Sequence, residues 1–564
     1  MSLEIYDTEK KSAKCFSVSQ TSGNQLEVYD CTLREGEQMA GASFNLNDRL
    51  KIVQALDEFG VDYIELGWPF SSFETMKAFH EAEKLSLNKA KIVAFGSTSI
   101  SDDVFEDKNL KSIVESKAKY ACIFGKTWIS HIQAQLRISA EENLKKIFDS
   151  IRFLREKGVE VFYDAEHYFD GFEDNKEYAL KTLEKAAEAG ALRLILCDTR
   201  GGKLPEEVLE TVKATKNHLE SRGIQVPLGV HFHNDSGLAL ANTLQSLPYI
   251  KQIQATVNGF GERVGNLDLC EIVPTLALKK YLSLNIDLKK LKGISELLYD
   301  VTNLPRQMRQ PYVSDRAFSH KGGVHIDAER KGASYQHIEP EALGLNSNLL
   351  FNSLGGASSV IHTAEKFGYK LDKNNKETRE KINNILKELL FLEKAGYDLG
   401  DIEAEHFFII EKHFGDLKEL FSIEDWNVKT DKSGSLCELI GRVNGEVLHI
   451  EKKVSGGPVD AMYEAMKELI AKKYNIENLE LIDFKVRIAR QAGVESSVRT
   501  RITFSNSVKA KAFPDSSKPI KGFEDGQEFD TVGVSRNILE SNFEALKKGF
   551  QYYLEQNKIN LLGE

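Results

Sequence analysis

Short apolar segments alternate with amphipathic segments along the first half of the chain. Eight runs rich in apolar and β-branched residues are typical of buried strands, each bounded by turn residues. They are Leu26–Asp30, Tyr63–Leu66, Lys91–Phe95, Tyr120–Phe124, Val159–Tyr163, Leu192–Cys197, Leu228–Phe232 and Gln252–Val257. Segments between them, such as Pro205–Ser221, carry apolar residues at helical spacing, and several are followed by glycine. The pattern predicts parallel strands joined by helices.

The number of strands distinguishes two parallel α/β folds. Eight strand–helix units are the number of a closed (β/α)8 TIM barrel, which we predict for residues 25–290. An open doubly wound sheet is the alternative. Active sites of such barrels lie in the loops after the C-terminal ends of the strands. Charged, polar or glycine-rich segments follow the predicted strands, as the barrel requires.

The rest of the chain has a different pattern. Residues 1–24 are polar and are predicted to form a flexible leader, and residues 291–401 are predicted to be helical linker subdomains. Residues 402–564 predict a C-terminal α+β domain with helices at Val459–Tyr474 and Asn537–Leu554. Its predicted strands are Trp426–Thr430, Ser435–Val443, Glu446–Lys453, Phe484–Ala489, Ser497–Phe504 and Val508–Phe513.

Composition and charge exclude several classes of protein. Of 564 residues, 41% are hydrophobic and 28% charged, which is ordinary for a globular protein. The net charge of -11 argues against a nucleic-acid or anionic-membrane partner. No apolar run approaches the roughly 18 residues needed to span a bilayer. The six cysteines form no CxxC pair, which indicates reduced thiols. We therefore expect a cytoplasmic protein.

His231 and His233 are the strongest candidates for chemistry. Residues two apart on a strand point to the same side, so both imidazoles face one way at the end of the seventh strand. Two imidazoles and one carboxylate can bind a divalent metal and leave positions open for a 2-oxo acid. Glu35 follows the first strand, which a closed barrel brings near the seventh. The alternative is one buried, hydrogen-bonded histidine and one exposed histidine.

Other candidate residues follow further strands. Arg34 can bind a carboxylate or neutralise an oxyanion, and Glu166 can act as a general base or a positioning group. Thr199 can bind a substrate carboxylate, and Asn266 can add an amide oxygen to the metal site. Each of these charged residues can instead form an ion pair at the barrel rim. The segment Gly259–Gly265 can alternatively bind a phosphate, although its glycine spacing matches that motif only in part.

The ordered motifs resemble the isopropylmalate synthase and homocitrate synthase family, closest to its citramalate synthase branch. The resemblance covers nearly the whole chain after the leader. The motifs that carry it are Thr32-Leu33-Arg34-Glu35-Gly36-Glu37-Gln38, Gly67-Trp68-Pro69, Ile123-Phe124-Gly125-Lys126, Asp164-Ala165-Glu166-His167, Cys197-Asp198-Thr199, His231-Phe232-His233-Asn234-Asp235-Ser236-Gly237, Asn258-Gly259-Phe260-Gly261-Glu262-Arg263-Val264-Gly265-Asn266 and His320-Lys321-Gly322-Gly323-Val324-His325.

The resemblance implies a role for each matching position. The divalent metal, Mn, Mg or Zn, would be held by Glu35, His231 and His233, with Asn266 close by. The 2-oxo acid would be bound by Arg34 and Thr199, and Glu166 would act in or beside the catalytic centre. The acetyl-CoA methyl group would be activated by His325, Asp327 and Tyr335, which would reach the barrel of a partner subunit. The resemblance thus implies a homodimer.

The C-terminal domain resembles the allosteric module of that family, which senses a branched-chain amino acid. Gly457, Pro458 and Asp460 open a predicted helix there. Backbone N–H groups at a helix start suit the carboxylate of an amino acid effector. An ordinary helix cap is the alternative.

The resemblance implies condensation of acetyl-CoA with pyruvate, followed by thioester hydrolysis, in isoleucine biosynthesis. Two departures from the branch bear on the substrate: Glu35 stands where aspartate is common, and Arg200 stands where asparagine is usual. The alternatives are the same chemistry on 2-oxoglutarate or 2-oxoisovalerate, a metal-dependent acyl-CoA lyase, and a catalytically silent sensor. Arg200 either favours a dicarboxylic oxo acid or forms a local ion pair.

Overall fold

The structure is a computed structural model that describes residues 26–280, 282–314, 316–330, 335–372, 374–476, 478–490, 496–506 and 527–557. Its chain divides into two compact units. The first consists of Met1–Ala317 and Ile338–Asn346, and the second of Phe318–His337 and Ser347–Glu564. The predicted leader and the predicted strand Val508–Phe513 lie outside the described residues.

Eight parallel strands close into a barrel in the first unit, which confirms the predicted TIM barrel. The strands are β1 (Glu27–Asp30), β2 (Tyr63–Gly67), β3 (Lys91–Ser97), β4 (Tyr120–Lys126), β5 (Glu160–Glu166), β6 (Arg193–Asp198), β7 (Leu228–Phe232) and β8 (Ile250–Ala255). Each strand pairs with the next in sequence, and β1 also pairs with β8. Closure therefore leaves no strand edge exposed.

Helices surround the barrel and connect its strands. They are α1 (Leu46–Phe59), α2 (Phe73–Ala82), α3 (Lys108–Glu115), α4 (Ile129–His131), α5 (Ala140–Glu156), α6 (Tyr168–Asp174), α7 (Lys176–Glu188), α8 (Pro205–Ser221), α9 (Ala239–Ser246) and α10 (Leu269–Leu278). Local chemistry fixes their ends. Asn45 and Ser139 accept hydrogen bonds from the first turns of α1 and α5, and each takes part in a capping box.

The barrel has two hydrophobic cores. The larger core lies between strands and helices, where residues such as Ile64 and Val230 are fully buried. The smaller core fills the barrel interior and includes Tyr29, Tyr63 and Phe162. The ring of Phe162 contacts both tyrosine rings edge to face, with centroids 5.8 and 5.0 Å apart. This aromatic packing supports the polar residues at the mouth of the barrel.

Several strands extend beyond the ends that hydropathy predicts. The predicted fifth strand ends at Tyr163, but β5 runs on to Glu166, and β4 likewise runs on to Lys126. The two strands remain paired as far as Lys126 and Glu166. Polar side chains at the barrel mouth interrupt the apolar pattern without interrupting the backbone ladder. Asp164 and Glu166 are therefore strand residues, where the sequence pattern indicates a loop.

Helices and two-residue strands link the barrel to the C-terminal part of the chain. The first unit also contains α11 (Leu291–Thr302). The second unit begins with β9 (Ser319–His320), α12 (Gly323–Arg330), β10 (Asn348–Leu349), α13 (Gly356–Lys366), α14 (Lys376–Ala395) and α15 (Glu403–Phe414). A hydrophobic cluster that includes Phe351, Val360 and Leu389 packs α13, α14 and α15 together.

The C-terminal part is a twofold repeat of three antiparallel strands and one helix. The first copy is β11 (Phe421–Asp431), β12 (Gly434–Val443), β13 (Glu446–Val454) and α16 (Pro458–Ala471). The second copy is β14 (Leu479–Arg490), β15 (Ser497–Asn506), β16 (Glu528–Ser535) and α17 (Ile538–Asn557). The α+β class is as predicted, but the sequence pattern does not predict β16.

Two further features bear on the predicted surroundings of the protein. The cysteines within the described ranges, Cys31, Cys122, Cys197, Cys270 and Cys437, are all buried and free of disulfides. Among the helices that the structure describes, none is long and apolar enough to cross a membrane.

Candidate metal centre and active site

Three buried side chains meet at the C-terminal end of the barrel strands. Glu35 lies in the tight turn after β1, His231 belongs to β7, and His233 follows that strand. Their ligand atoms, one carboxylate oxygen and two imidazole nitrogens, all lie within 4.8 Å of one another. Glu35 Oε1 is 3.7 Å from His233 Nε2, and the imidazole centroids are 5.2 Å apart. Strand alternation thus places both imidazoles on one side, and barrel closure brings the carboxylate to them.

A cavity of about 560 Å³ opens over this triad. Its wall is formed by side chains from the ends of β1 to β8, as expected for a barrel active site. The lining residues are Arg34, Glu35, Glu37, Gln38, Gly67, Trp68, Ser71, Thr75, Phe95, Phe124, Asp164, Glu166, Cys197, Thr199, His231, His233, Glu262 and Arg263. The triad and the predicted substrate-binding residues of the barrel therefore share one cavity.

Arg34 is fixed in the cavity wall from several directions. Its Nε donates to Glu65 Oε2 at 2.5 Å, and its terminal nitrogen pairs with Glu35. Its guanidinium lies 3.7 Å from the centroid of the Phe95 ring. Glu65 is completely buried and also accepts from the Tyr29 hydroxyl at 2.6 Å. Arg34 is thus oriented before any substrate binds, which reduces the entropy lost on binding.

The charges at the triad are those that metal ligands require. Burial works to raise the pKa of Glu35, but the adjacent Arg34 guanidinium attracts the carboxylate and holds its pKa below the usual value. Burial lowers the pKa of His231, and it lowers that of His233 to about 3, with the adjacent His231 acting in the same direction. A charged carboxylate and two neutral imidazoles are the protonation states that bind a cation.

The donor set fits a divalent metal. Asn266 pairs with His233 through a backbone bridge, and its amide nitrogen donates to Phe260 O at 2.9 Å. Its Oδ1 is buried and receives no hydrogen bond from any described residue. A carboxylate, two imidazoles and a free amide oxygen suit Mn, Mg or Zn. The residues that are present therefore match the predicted ligand set in chemistry.

Thr199 and Glu166 both border the cavity. Thr199 follows β6, and its hydroxyl oxygen accepts from the backbone N–H of His167 at 2.9 Å. The hydroxyl proton is then free to donate to a ligand. Glu166 Oε2 lies 2.5 Å from Lys126 Nζ, so this part of the wall presents a carboxylate and an ammonium group side by side.

Some residues in the cavity wall, or in contact with it, are not among the candidate site residues that the sequence pattern predicts. Trp68, Phe95 and Phe124 form an aromatic wall, with ring centroids 5.5 to 6.1 Å apart. Glu65 and Asp164 are buried carboxyl groups on β2 and β5. Burial, followed by the proximity of Glu65, raises the pKa of Asp164 to about 7. A charged residue inside an apolar strand, as in Tyr63–Gly67, is the signal that points to such a residue.

Arg200 lies outside the cavity lining. Its guanidinium is 3.5 Å from Asp170 Oδ1, and its side chain is 65% exposed. Asp170 also lies 3.3 Å from His167 Nδ1. The structure thus shows the local ion pair, which is one of the two alternatives that the sequence leaves open for Arg200.

The glycine-rich loop after β8 folds tightly onto itself. A Cβ atom at Gly261 would lie 2.0 Å from the Asn266 amide nitrogen, and one at Gly265 would lie 1.9 Å from Gly259 O. Gly261 and Gly265 also have positive φ angles, of 157° and 90°. These glycines serve to seat Asn266, which gives them a role other than binding a phosphate.

His325, Asp327 and Tyr335 belong to the second unit. His325 and Asp327 lie on α12, and the His325 ring stacks on Tyr335 with centroids 4.2 Å apart. The Tyr335 backbone N–H donates to Glu329 Oε1 at 2.7 Å, and its side chain is 55% exposed. The structure therefore brings His325 and Tyr335 together as an exposed pair.

The predicted allosteric residues lie at the start of α16. Gly457 is the N-cap, Pro458 is the first helical residue, and the Asp460 carboxylate accepts from Gly457 N at 3.0 Å. This contact is one half of a capping box. Gly457 and Asp460 are exposed.

Three family models match successive parts of the chain. Residues 25–298 match the HMGL-like family, residues 312–389 match the homocitrate synthase post-HMGL domain-like family, and residues 402–554 match the LeuA allosteric (dimerisation) domain. The first match contains all eight barrel strands, and the last contains most of the C-terminal repeat.

Similar proteins align along almost the full chain. The (R)-citramalate synthase of Sulfolobus acidocaldarius is 39% identical, covering 95% of this chain and 98% of its own. That of Geobacter sulfurreducens is 37% identical, covering 94% and 98%. A probable 2-isopropylmalate synthase of Archaeoglobus fulgidus is 28% identical, covering 94% and 98%. The chain therefore belongs to the family of the isopropylmalate, homocitrate and citramalate synthases.

Proposed function

We propose that this protein is an (R)-citramalate synthase that condenses acetyl-CoA with pyruvate and serves isoleucine biosynthesis. The observation that carries the proposal is the buried triad of Glu35, His231 and His233, which opens onto the cavity lined by Arg34 and Thr199. Relatives that bear this name and align over 95% and 94% of the chain support it. The enzyme class is an acyltransferase that converts the acyl group into alkyl on transfer.

The reaction joins two carbon atoms and then hydrolyses a thioester. The acetyl methyl group loses a proton, its carbon bonds to C2 of pyruvate, and the pyruvate carbonyl oxygen becomes a hydroxyl group. Water then adds to the thioester carbonyl, the C–S bond breaks, and CoA leaves as a thiol. A divalent cation held by Glu35, His231 and His233, with Asn266, would supply Lewis acidity toward the pyruvate carbonyl.

Residues of the barrel would bind and orient the oxo acid. The Arg34 guanidinium, held by Glu65 and stacked on Phe95, can neutralise negative charge that develops on the carbonyl oxygen. The Thr199 hydroxyl can donate to the pyruvate carboxylate. Glu166 borders the same cavity beside Lys126, where it can accept a proton or position water.

Residues of the second unit would activate acetyl-CoA. The stacked pair of His325 and Tyr335 is exposed on the side of α12, with Asp327 on the same helix. We infer that these residues act in the barrel of a partner subunit, where they help to remove the methyl proton or stabilise the enolate. A homodimer is then required for activity, consistent with the LeuA allosteric (dimerisation) domain.

The cavity favours pyruvate over a dicarboxylic oxo acid. Its aromatic wall of Trp68, Phe95 and Phe124 is apolar. The two cations in the lining already have carboxylate partners, Arg34 with Glu35 and Glu65, and Arg263 with Asp235. Arg200, the cation that departs from the branch pattern, is engaged with Asp170 and does not line the cavity. The extra methylene of Glu35 retains the charge of an aspartate, so it is compatible with the same metal chemistry.

The direct test is release of free thiol from acetyl-CoA by the purified full-length protein with Mn or Mg. Pyruvate, 2-oxoisovalerate and 2-oxoglutarate are offered in parallel. We expect release with pyruvate alone. Release with 2-oxoglutarate instead would assign Glu35 and Arg200 to a substrate switch, and no release with any of the three acids would favour a lyase or a sensor.

We also propose that the C-terminal repeat binds a branched-chain amino acid that inhibits the enzyme, at the helix start formed by Gly457, Pro458 and Asp460. A chain that ends before residue 402 should lose inhibition by isoleucine, leucine and valine, and its thiol release should fall to the extent that it no longer forms the homodimer. The full-length protein, assayed in parallel, is the control. Equal inhibition of both proteins would refute the sensor.

A further inference from the structure

Three buried polar side chains, beginning with His231 of the triad, form a row of hydrogen bonds. His231 Nδ1 lies 2.8 Å from Gln254 Oε1, and Gln254 Nε2 lies 3.2 Å from Asp164 Oδ1. His231 and Gln254 are paired in the register of β7 and β8, so their side chains lie at the same level of the barrel. His231 and Asp164 are 5% exposed and Gln254 is 1% exposed. This row reaches from a candidate metal ligand across the barrel interior to β5.

The partners of Gln254 determine which way its amide points. Its nitrogen faces two acceptors, the Asp164 carboxyl oxygen at 3.2 Å and the Cys122 sulfur at 3.9 Å. Its oxygen is therefore directed at His231. An amide oxygen only accepts, so the Nδ1 atom of His231 must donate. The proton of the neutral imidazole then lies on Nδ1, and Nε2 retains its lone pair.

His233 is held differently. Its Nδ1 lies 2.7 Å from a terminal nitrogen of Arg263, which can only donate. Neutral His233 therefore carries its proton on Nε2, the nitrogen nearest to Glu35. A cation that binds Nε2 of His233 must replace this arrangement, whereas His231 needs no change. The two histidines thus differ in how far the free protein prepares them for a metal.

We propose that Gln254 and Asp164 are positioning residues that fix His231 with Nε2 free for a divalent metal. The inference rests on the metal site of the proposed function. Asp164 orients the Gln254 amide, and Gln254 orients the imidazole and selects its tautomer. Asp164 also lines the cavity and forms no ion pair with any described residue, so this hydrogen bond is the contact that connects it to the triad.

The test compares substitutions that break the hydrogen bond with substitutions that preserve it. Gln254→Leu removes the acceptor for His231 Nδ1, and we expect the Kd for Mn²⁺ to rise about 10- to 100-fold. Gln254→Glu retains an acceptor, so its Kd should stay within about 3-fold of wild type. Affinities are measured by titration calorimetry on the metal-free full-length protein. Thermal unfolding of each metal-free variant shows whether it is folded.

A second pair of variants tests the outer residue of the row. Asp164→Asn keeps an oxygen for Gln254 Nε2 and should bind Mn²⁺ like wild type. Asp164→Leu removes that oxygen, and we expect a smaller loss, of about 10-fold. If Gln254→Leu does not fold, the comparison of Asp164→Asn with Asp164→Leu tests the proposal in its place.

Gln252→Leu is the matched control. Gln252 lies two residues earlier on β8 and is also completely buried, but its hydrogen-bond partner is Glu27, 3.2 Å away, rather than a histidine. It should leave Mn²⁺ affinity unchanged. The proposed positioning role of Gln254 is wrong if Gln254→Leu binds Mn²⁺ as tightly as wild type, or if Gln254→Glu loses as much affinity as Gln254→Leu. A wild-type protein that binds no Mn²⁺ would instead overturn the metal site itself.

Discussion

The barrel mouth and the C-terminal domain each hold one cation between two glutamates. At the mouth, Arg34 lies between Glu35 and Glu65. In the C-terminal domain, Lys548 lies 2.9 Å from Glu405 and 3.1 Å from Glu544. The charges are the same in number and sign, so the ion pairs alone do not distinguish the two places.

The difference lies in the remaining carboxylate oxygens. In the C-terminal domain, Glu405 Oε1 accepts from Val532 N at 3.1 Å, and Glu544 Oε2 accepts from Val534 N at 3.0 Å. At the barrel mouth, Glu35 Oε1 faces His233 Nε2 at 3.7 Å, beyond hydrogen-bond distance. One group of charges is satisfied within the fold, and the other is directed at a cavity.

This comparison separates structural from functional burial of charge. Buried ionic groups are stabilised only when every oxygen and proton has a partner. Glu405, Glu544 and Lys548 meet that condition and connect α15, α17 and β16. Glu35 meets it only when something enters the cavity, which is the condition of a binding site.

The largest expected effect on activity comes from removing a metal ligand at the barrel mouth. His233→Ala should abolish bound metal and lower kcat/KM for pyruvate by at least about 1000-fold, because the Lewis-acid contribution is worth several kcal/mol. Metal content and thiol release are the measurements. His218→Ala on the outer helix α8, where His218 pairs with Glu184 at 2.7 Å, should behave as wild type. Wild-type activity in His233→Ala would refute the metal assignment.

Mutation of the Glu405, Glu544 and Lys548 group in the C-terminal domain should change the free energy of unfolding. Glu405→Ala leaves Lys548 short of one carboxylate and Val532 N–H without its acceptor, so we expect the free energy of unfolding to fall by about 3 kcal/mol. Urea unfolding of the full chain measures it. Glu419→Ala breaks the exposed pair with Lys547, on the same helix as Lys548, and should change stability by less than about 0.5 kcal/mol. If both variants lower the free energy of unfolding equally, the Glu405 pair contributes no more to stability than the exposed Glu419 pair.

A buried neutral histidine in the second unit predicts a dependence on pH. Burial lowers the pKa of His406 to about 4, compared with about 6.5 in an unfolded chain. The unfolded chain therefore binds more protons between these values, and stability falls as the pH falls through them. From pH 7 to pH 5 this residue should remove about 2 kcal/mol from the free energy of unfolding.

His406→Gln isolates that contribution. Glutamine keeps a donor for Leu399 O, which His406 Nε2 contacts at 2.5 Å, but it does not titrate. Urea unfolding at pH 7 and pH 5 should show a smaller loss in the variant than in wild type. The same loss in both proteins would mean that other groups account for the pH dependence.

The smallest effect is expected at the barrel rim. Arg200→Asn removes the pair between an exposed guanidinium and Asp170, outside the cavity lining, so kcat/KM for pyruvate should change by less than about 3-fold. Thiol release with pyruvate and with 2-oxoglutarate measures it. A tenfold shift in the ratio of the two substrates would make Arg200 a determinant of specificity.

The sequence predicts the barrel because each strand and helix leaves a local signal. The count of eight apolar segments predicts closure, and the spacing of His231 and His233 predicts that they face one way. The contacts of Arg34 with Glu65, and of His231 with Gln254, depend on how strands align around the barrel. Hydropathy carries no information about that register.

Other differences have equally local causes. The pattern ends the fifth strand at Tyr163, because Asp164 and Glu166 are polar although they continue the ladder of β5. It does not predict β16, because two acidic residues, Glu528 and Asp530, and the glycine Gly533 interrupt the apolar pattern of this strand. The aromatic wall was also not predicted, since Trp68, Phe95 and Phe124 come from three different strand ends.

The tight loop after β8 has a consequence for how new specificities arise. Gly261 and Gly265 leave no space for a side chain, so the side of the cavity that seats Asn266 tolerates little mutation. The opposite side consists of aromatic rings, Trp68, Phe95 and Phe124, on three separate strand ends. Directed evolution toward a bulkier oxo acid should therefore accumulate its changes among the rings and leave the loop intact.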